Sequence, residues 1–389
     1  MIRSSDWWIV LGLALGVTIS NAFARFAYGL ILPAMQSDLN WTYTQSGWIN
    51  TANALGYVAG ALLTFALIGR ISAKWLFSAG LVVTSVSLLM CGFDDGFWYL
   101  TFWRILAGIA GAPVFIAGGA MAATLFPDDA RKNALAIAGY FGGAGLGMIL
   151  SGALLPGLFA QLGPAFWPKA WIGLGLCSLL VTPFSIRTSG RVQVSPPSRG
   201  SSAALPMRKM LFALTGYGLF AMGYIVYLTF IVASVKDMGV GVEAISAGWV
   251  LIGIGIIASP FLWRPVLARY TSGVPLALAC AVTGFATLAP WIVPDIAGFA
   301  LSALFFGLAV FIGPGAVTSF GRKNLPQALW GKSVSVFTLI FAIGQTVGPV
   351  AAGVIADKTG SPDTGIIVAG FILLAAATLA AVQRPLDQL

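Results

Sequence analysis

The stretch WWIVLGLALGVTISNAFARFAYGLILPAM, residues 7–35, decides how the rest of the chain is read. It is apolar except for Thr18, Ser20, Asn21, Arg25 and Tyr28. About 20 mostly apolar residues are enough to cross a bilayer as a helix, so the stretch predicts a membrane span. No small-residue cleavage pattern follows a short apolar core, so it reads as a retained first helix rather than a secretory signal. Arg25 lies well inside it. A cation near the centre of a spanning helix costs roughly 2.5–3.5 kcal/mol on insertion scales, and such residues face watery cavities and handle something charged.

The whole chain extends this reading. Of its 389 residues 58% are hydrophobic and only 8% charged, against about 25% charged in ordinary soluble domains. Twelve apolar segments can be marked, at 7–35, 44–68, 75–93, 97–125, 133–160, 167–186, 210–235, 243–263, 273–293, 296–320, 330–356 and 363–383. The expected fold is therefore an all-α membrane protein of twelve transmembrane helices. Most connections are short, but residues 187–209 hold Pro196, Pro197 and Arg187, Arg191, Arg199 and Arg208, and read as a flexible basic linker. It separates an N-terminal six-helix bundle (1–186) from a C-terminal one (210–389).

Loop charges give the orientation. With the N-terminus inside, sixteen of the 21 lysines and arginines, Arg3 among them, fall in cytoplasmic segments. Three (Lys169, Lys236, Lys358) fall outside, and two (Arg25, Arg104) lie within helices. Both termini are thus expected in the cytoplasm, and the chain in a bacterial inner membrane. The net charge of +9 is spread over short loops and does not point to nucleic acid. There is no histidine, and Cys91, Cys177 and Cys280 lack metal-ligand spacing. No catalytic triad, metal cluster or Walker-type loop is recognisable, so neither an enzyme nor a cofactor is expected. The run Gly143-Ala-Gly145-Leu-Gly147 follows no strand and reads as helix packing.

The two groups of six segments resemble one another weakly. The fourth and tenth carry mid-segment Pro113 and Pro314, and Arg70 after the second segment corresponds to Arg269 after the eighth. Paired six-helix repeats around a central site are a transporter architecture. Over its whole length the chain resembles the major facilitator superfamily. Arg70 and Lys74 match that superfamily's G-x-x-x-D-R-x-G-R-K loop, although Gly69 stands where an acid is expected. Arg104 and Gly108 match its R-x-x-x-G motif, and a Gly348-Pro349 step stands in the eleventh segment. The run Arg25-Phe26-Ala27-Tyr28-Gly29, ending in Leu32-Pro33, is similar to the YbfB/YjiJ-like branch. The resemblance implies alternating access by a monomer, and gating or structural roles for Arg70, Lys74, Gly108, Arg269, Gly348 and Pro349. It also implies that the first and fourth helices line the central cavity.

No Asp or Glu lies within the core of any of these segments. Arg25 and Arg104, at comparable depths, then form an expected receptor for a carboxylate or other oxyanion, because guanidiniums donate paired hydrogen bonds. Helical spacing puts Asn21 and Tyr28 on the face of Arg25. It likewise adds Asn53 and Tyr57 of the second segment, Tyr224 and Tyr227 of the seventh, and Gln345 of the eleventh. The expected function is transport of a small anion, accompanied by a proton or exchanged for a counter-anion. A multidrug or amphipath exporter is the alternative, against which stand the missing buried acid and the missing Gly-Pro step in the fifth segment.

Overall fold

The protein is described by a computed structural model covering residues 5–67, 70–192 and 204–388. Arg3, Gly69, Pro196, Pro197 and Arg199 lie outside the described residues. Among the described residues twelve long helical spans follow one another. The first six are α1 (Trp7–Leu39), α2 (Tyr43–Leu67), α3 (Ala73–Met90), α4 (Phe97–Ala122), α5 (Ala130–Leu162) and α6 (Trp167–Ser189). The second six are α7 (Leu211–Asp237), α8 (Val242–Arg269), α9 (Val274–Ile292), α10 (Ile296–Asn324), α11 (Trp330–Thr359) and α12 (Pro362–Val382). Eleven are long and apolar enough to cross a membrane by length and composition, and α2, with 25 residues, is the twelfth. Its Asn50, Thr51 and Asn53 lower its apolarity, and all three are buried against neighbouring helices.

Two spans are interrupted. In α1, residues Thr18–Phe26 wind as a π-helix, closed by the Ala27 amide donating to Ala22 O at 2.7 Å. An i→i+5 turn inserts one extra residue, and such turns are rare and often mark functional sites. In α10 the helix breaks at Phe311, three residues before Pro314. α1 also continues to Leu39, beyond Met35, and ends on Asn40 in the left-handed conformation (φ 53°). Asparagine tolerates that conformation at a helix end better than most residues.

Glycines let the helices approach closely, as is usual in membranes. A Cβ on Gly56 of α2 would stand 2.0 Å from Ile105 O, and one on Gly108 of α4 would stand 2.1 Å from Asn53 O. The obstacles are backbone, so no side chain can swing aside. Gly108→Val is expected to destabilise the protein by about 3 kcal/mol or more, the upper end of overpacking costs. A lowered melting midpoint in detergent checks this, and an unchanged midpoint would refute the packing account. The run Gly143–Gly147 is also a packing seam: a Cβ on Gly143 would meet Ala14 O at 2.0 Å, and one on Gly145 would meet Gly253 O at 2.4 Å.

The first six helices meet the last six through α2 with α11, α5 with α8, and the second half of α1 with α7. Hydrogen bonds join the groups at mid-depth and on the side away from the termini. Asn50 Nδ2 donates to Thr229 Oγ1 at 2.6 Å, and Thr51 Oγ1 donates to Thr346 O at 2.8 Å. The Tyr43 and Thr44 amides donate to the Asp357 carboxylate at 2.7 and 2.9 Å, so an aspartate of α11 caps the N-terminus of α2. On the terminal side the seams part. A crevice of about 530 Å³, lined by Arg131, Leu135, Phe261 and Arg264, separates the ends of α5 and α8. A smaller one, of about 160 Å³, separates Val58 and Phe65 of α2 from Ser335 and Leu339 of α11. A third crevice, of about 260 Å³, lies between the groups on the distal side, with Pro33 and Phe159 facing Val232 and Lys236.

Candidate functional site

The deepest tie between the two groups is made by Arg25, which donates through Nη2 to Gln345 Oε1. Because α1 runs on to Leu39, Arg25 sits about 21 Å from its distal end at the ordinary helical rise. Tyr224 of α7 also donates to Gln345 Oε1, at 3.3 Å. The Arg25 guanidinium lies over the Tyr57 ring of α2, 5.3 Å from its centroid. Four helices, two from each group, thus converge on one cation. Arginine can only donate, which fixes the amide orientation: the Gln345 oxygen faces Arg25, and its Nε2 points elsewhere. Both Gln345 Nε2 and Arg25 Nε are buried without an acceptor. Burying an unmatched donor costs about 1–3 kcal/mol, and more for a charged one.

Aromatic side chains continue from this junction toward the termini. The Tyr224 ring lies 5.6 Å from Phe220 at 15° and 5.5 Å from Phe341 at 22°. Tyr217 in turn stacks 5.1 Å from Phe341 at 27° and 6.1 Å from Phe220 at 9°. Phe341 stands one turn before Gln345 on α11, a spacing that puts them on one face. Phe341 could have been found in the sequence from that spacing.

Arg104 takes different neighbours. Its Nη1 donates to Ala24 O of α1, and its guanidinium lies 5.2 Å from the ring centroids of both Tyr28 and Trp171. It is 1% exposed, and its Nε and Nη2 have no partner. No described residue is bonded or stacked to both guanidiniums. Through these contacts Arg104 braces α1 against α4 and α6. Cation–π contacts of this kind stabilise by about 0.5–2 kcal/mol each.

Other residues expected at the site have partners of their own. The Tyr28 hydroxyl donates to Ser46 O at 2.8 Å, with its ring against Arg104. Asn53 Nδ2 donates to Arg104 O at 3.0 Å and so ties α2 to α4. Tyr227 stacks on Phe306 at 4.1 Å, its hydroxyl 2.7 Å from Ser302 Oγ. Asn21 Oδ1 accepts from Ser20 Oγ at 3.1 Å. The common face drawn for Asn21, Arg25 and Tyr28 assumed a regular helix, and the π turn across Thr18–Phe26 breaks that register.

The residues expected to gate or brace the fold divide similarly. The Arg70 and Lys74 side chains are exposed, whereas Lys132 forms an ion pair with Asp129. Arg269 lies over the Tyr270 ring at 5.5 Å. Lys323, absent from the sequence expectations, donates to Leu267 O, Ala268 O and Tyr270 O at 2.7, 2.7 and 2.9 Å and closes the end of α8. Basic side chains commonly satisfy the last carbonyls of a helix. Gly348 packs on α7, where a Cβ would stand 2.5 Å from Met222 O, and Pro349 O faces Gly47 of α2.

Twelve helices in two groups of six, joined by α2–α11 and α5–α8 around a central cation, define a major facilitator superfamily transporter. Residues 13–381 match the family described as uncharacterised MFS-type transporter YbfB, and the chain belongs to that family. It is 24% identical over 385 residues to a hexuronate transporter of Bacillus subtilis, covering 90% of this chain and 88% of the relative. It is 26% identical over 369 residues to a chloramphenicol resistance protein of Streptomyces lividans, covering 92% and 91%. Its fold is similar to a solved bacterial homologue of the human lysosomal transporter Spinster in an inward-facing, occupied conformation. That match has TM-score 0.74 and 16% identity, and covers 98% of this chain and 97% of that one.

Proposed function

We propose that this transporter moves a small organic anion across the bacterial inner membrane, with Arg25 anchoring the anionic group. One observation carries the reading. Where four helices from both groups meet, the buried atoms left without partners, Arg25 Nε and Gln345 Nε2, are donors beside a fixed positive charge. An acceptor-rich anion completes such a set, whereas a cationic drug would add charge to charge. Gln345 is a neutral placeholder: its amide oxygen holds Arg25 when cargo is absent and yields to a carboxylate, a stronger acceptor. Arg104 is assigned to the fold.

The first and last six helices, joined by the linker at 187–209, act as the two rocking bodies of a monomer. The excess of basic residues in the loops on the terminal side puts both termini in the cytoplasm, so that side faces inward. The Asp357 cap on α2 then belongs to the outer closure. Charge balance is met by a proton carried with the substrate's own acid group, or by exchange for a second anion.

The Streptomyces relative keeps drug export as the rival reading, and the aromatic rings beside Arg25 are the feature that favours it. Thermal stabilisation of the purified protein separates the two. Small carboxylates are expected to raise the melting midpoint of the wild type, and lipophilic cations to leave it unmoved. The reverse pattern would transfer support to the exporter.

A further inference from the structure

We infer that the cargo is a monoanionic acid with a flat aromatic body, an inference that rests on Arg25 anchoring an anion. The charge follows from counting cations at the junction. Among the described residues Arg25 is the cation that meets Gln345 and the Tyr57 ring there, while Arg104 lies off the junction, its Nη1 on Ala24 O, its guanidinium by Tyr28 and Trp171 and its Nε and Nη2 unpartnered. A dianion would bring one buried charge without a partner, which is strongly unfavourable in a low-dielectric interior.

The body follows from what adjoins the cation. Tyr224, Phe220, Phe341 and Tyr217 form a column of rings whose successive planes are tilted by 9° to 27°. Phe337 meets Tyr217 edge-on at 5.8 Å and 77°, so the column is braced from α11. Near-parallel offset rings accept another flat ring by stacking, an interaction that adds to plain area burial. Phe341 and Gln345 are separated by one turn, about 5.4 Å along α11. That spacing matches an acid group borne directly on a ring or one carbon away from it. A sugar acid would need several donors and acceptors for its hydroxyls. Beside the cation the column offers ring faces and edges, and of polar atoms the hydroxyls of Tyr217 and Tyr224. The column also runs from the junction along α7 and α11 toward the side of the termini.

The test is calorimetric titration of the full chain in detergent at neutral pH with four acids: benzoate, cyclohexanecarboxylate, glucuronate and terephthalate. Benzoate is expected to bind about twofold to tenfold more tightly than each of the others, the range that one added aromatic contact supplies. Phe341→Leu is expected to bring the benzoate and cyclohexanecarboxylate constants together by lowering benzoate affinity alone. Tyr217→Leu is the second variant should the first not fold, and the wild-type series stands without either. Equal or tighter binding of cyclohexanecarboxylate, glucuronate or terephthalate, lost in Arg25→Gln, would overturn the aromatic monoanion and leave the anion reading intact. Binding of a lipophilic cation such as tetraphenylphosphonium, with no acid bound, would overturn both.

Discussion

Arg25→Gln is expected to weaken anion binding by roughly 100-fold, the effect of removing one partner of a buried charged pair, about 3 kcal/mol. Glutamine keeps the length and a donor but loses the charge and the two-pronged geometry. Arg25→Lys keeps the charge without the fork and is expected to fall between the two, because a point charge cannot bind a carboxylate bidentately. The fold should survive both changes. The partners of Arg25, Gln345 Oε1 and the Tyr57 ring, are uncharged, so no buried ion is orphaned. Titration of the wild type and both variants with an acid that binds, together with their melting midpoints, checks this. An affinity unchanged in Arg25→Gln would end the proposal for this residue.

Gln345→Glu is the second large effect, and it tests charge apart from shape. The two side chains are nearly isosteric, but glutamate places a permanent carboxylate where the cargo's acid group would sit. Its effective concentration at Arg25 is fixed by the fold, so a free acid cannot compete with it. Anion binding is expected to fall by roughly 100-fold or more, as much as in Arg25→Gln, since the cation's charge is already neutralised. Gln345→Ala removes the placeholder without adding charge and is expected to change affinity by less than about tenfold, the worth of one hydrogen bond. A Gln345→Glu protein that binds acids normally would separate Gln345 from the site.

Much of the molecule was legible in the sequence because insertion into a bilayer is decided segment by segment. The uninterrupted apolar run from Trp7 to Met35 and the scarcity of charge predicted spans, and the family match over residues 13–381 agrees with the resemblance read from Arg104, Gly108 and the Arg25–Pro33 run. The partners of the two arginines were not legible in the sequence, because none of them carries an opposite charge. The structure supplies dipoles and ring faces instead: the Gln345 amide, the Ala24 carbonyl, and the rings of Tyr57, Tyr28 and Trp171. Trp171 carried no signal beyond an apolar residue in an apolar segment. Lys323 looked like one more loop cation and proved to hold the end of α8.

The sequence by itself determined which stretches span and that one arginine lies deep in the first of them. Those properties depend on local composition measured against the bilayer, and no distant residue can alter them. Tertiary structure decided which arginine faces the meeting of the two groups and which braces a helix. It also separated Tyr57 and Tyr224, beside the cation, from Tyr28 and Tyr227, which pack elsewhere. Those outcomes depend on the rotation of each helix about its axis. In α1 that rotation is reset by one extra residue per turn across Thr18–Phe26, which a 3.6-residue period does not contain.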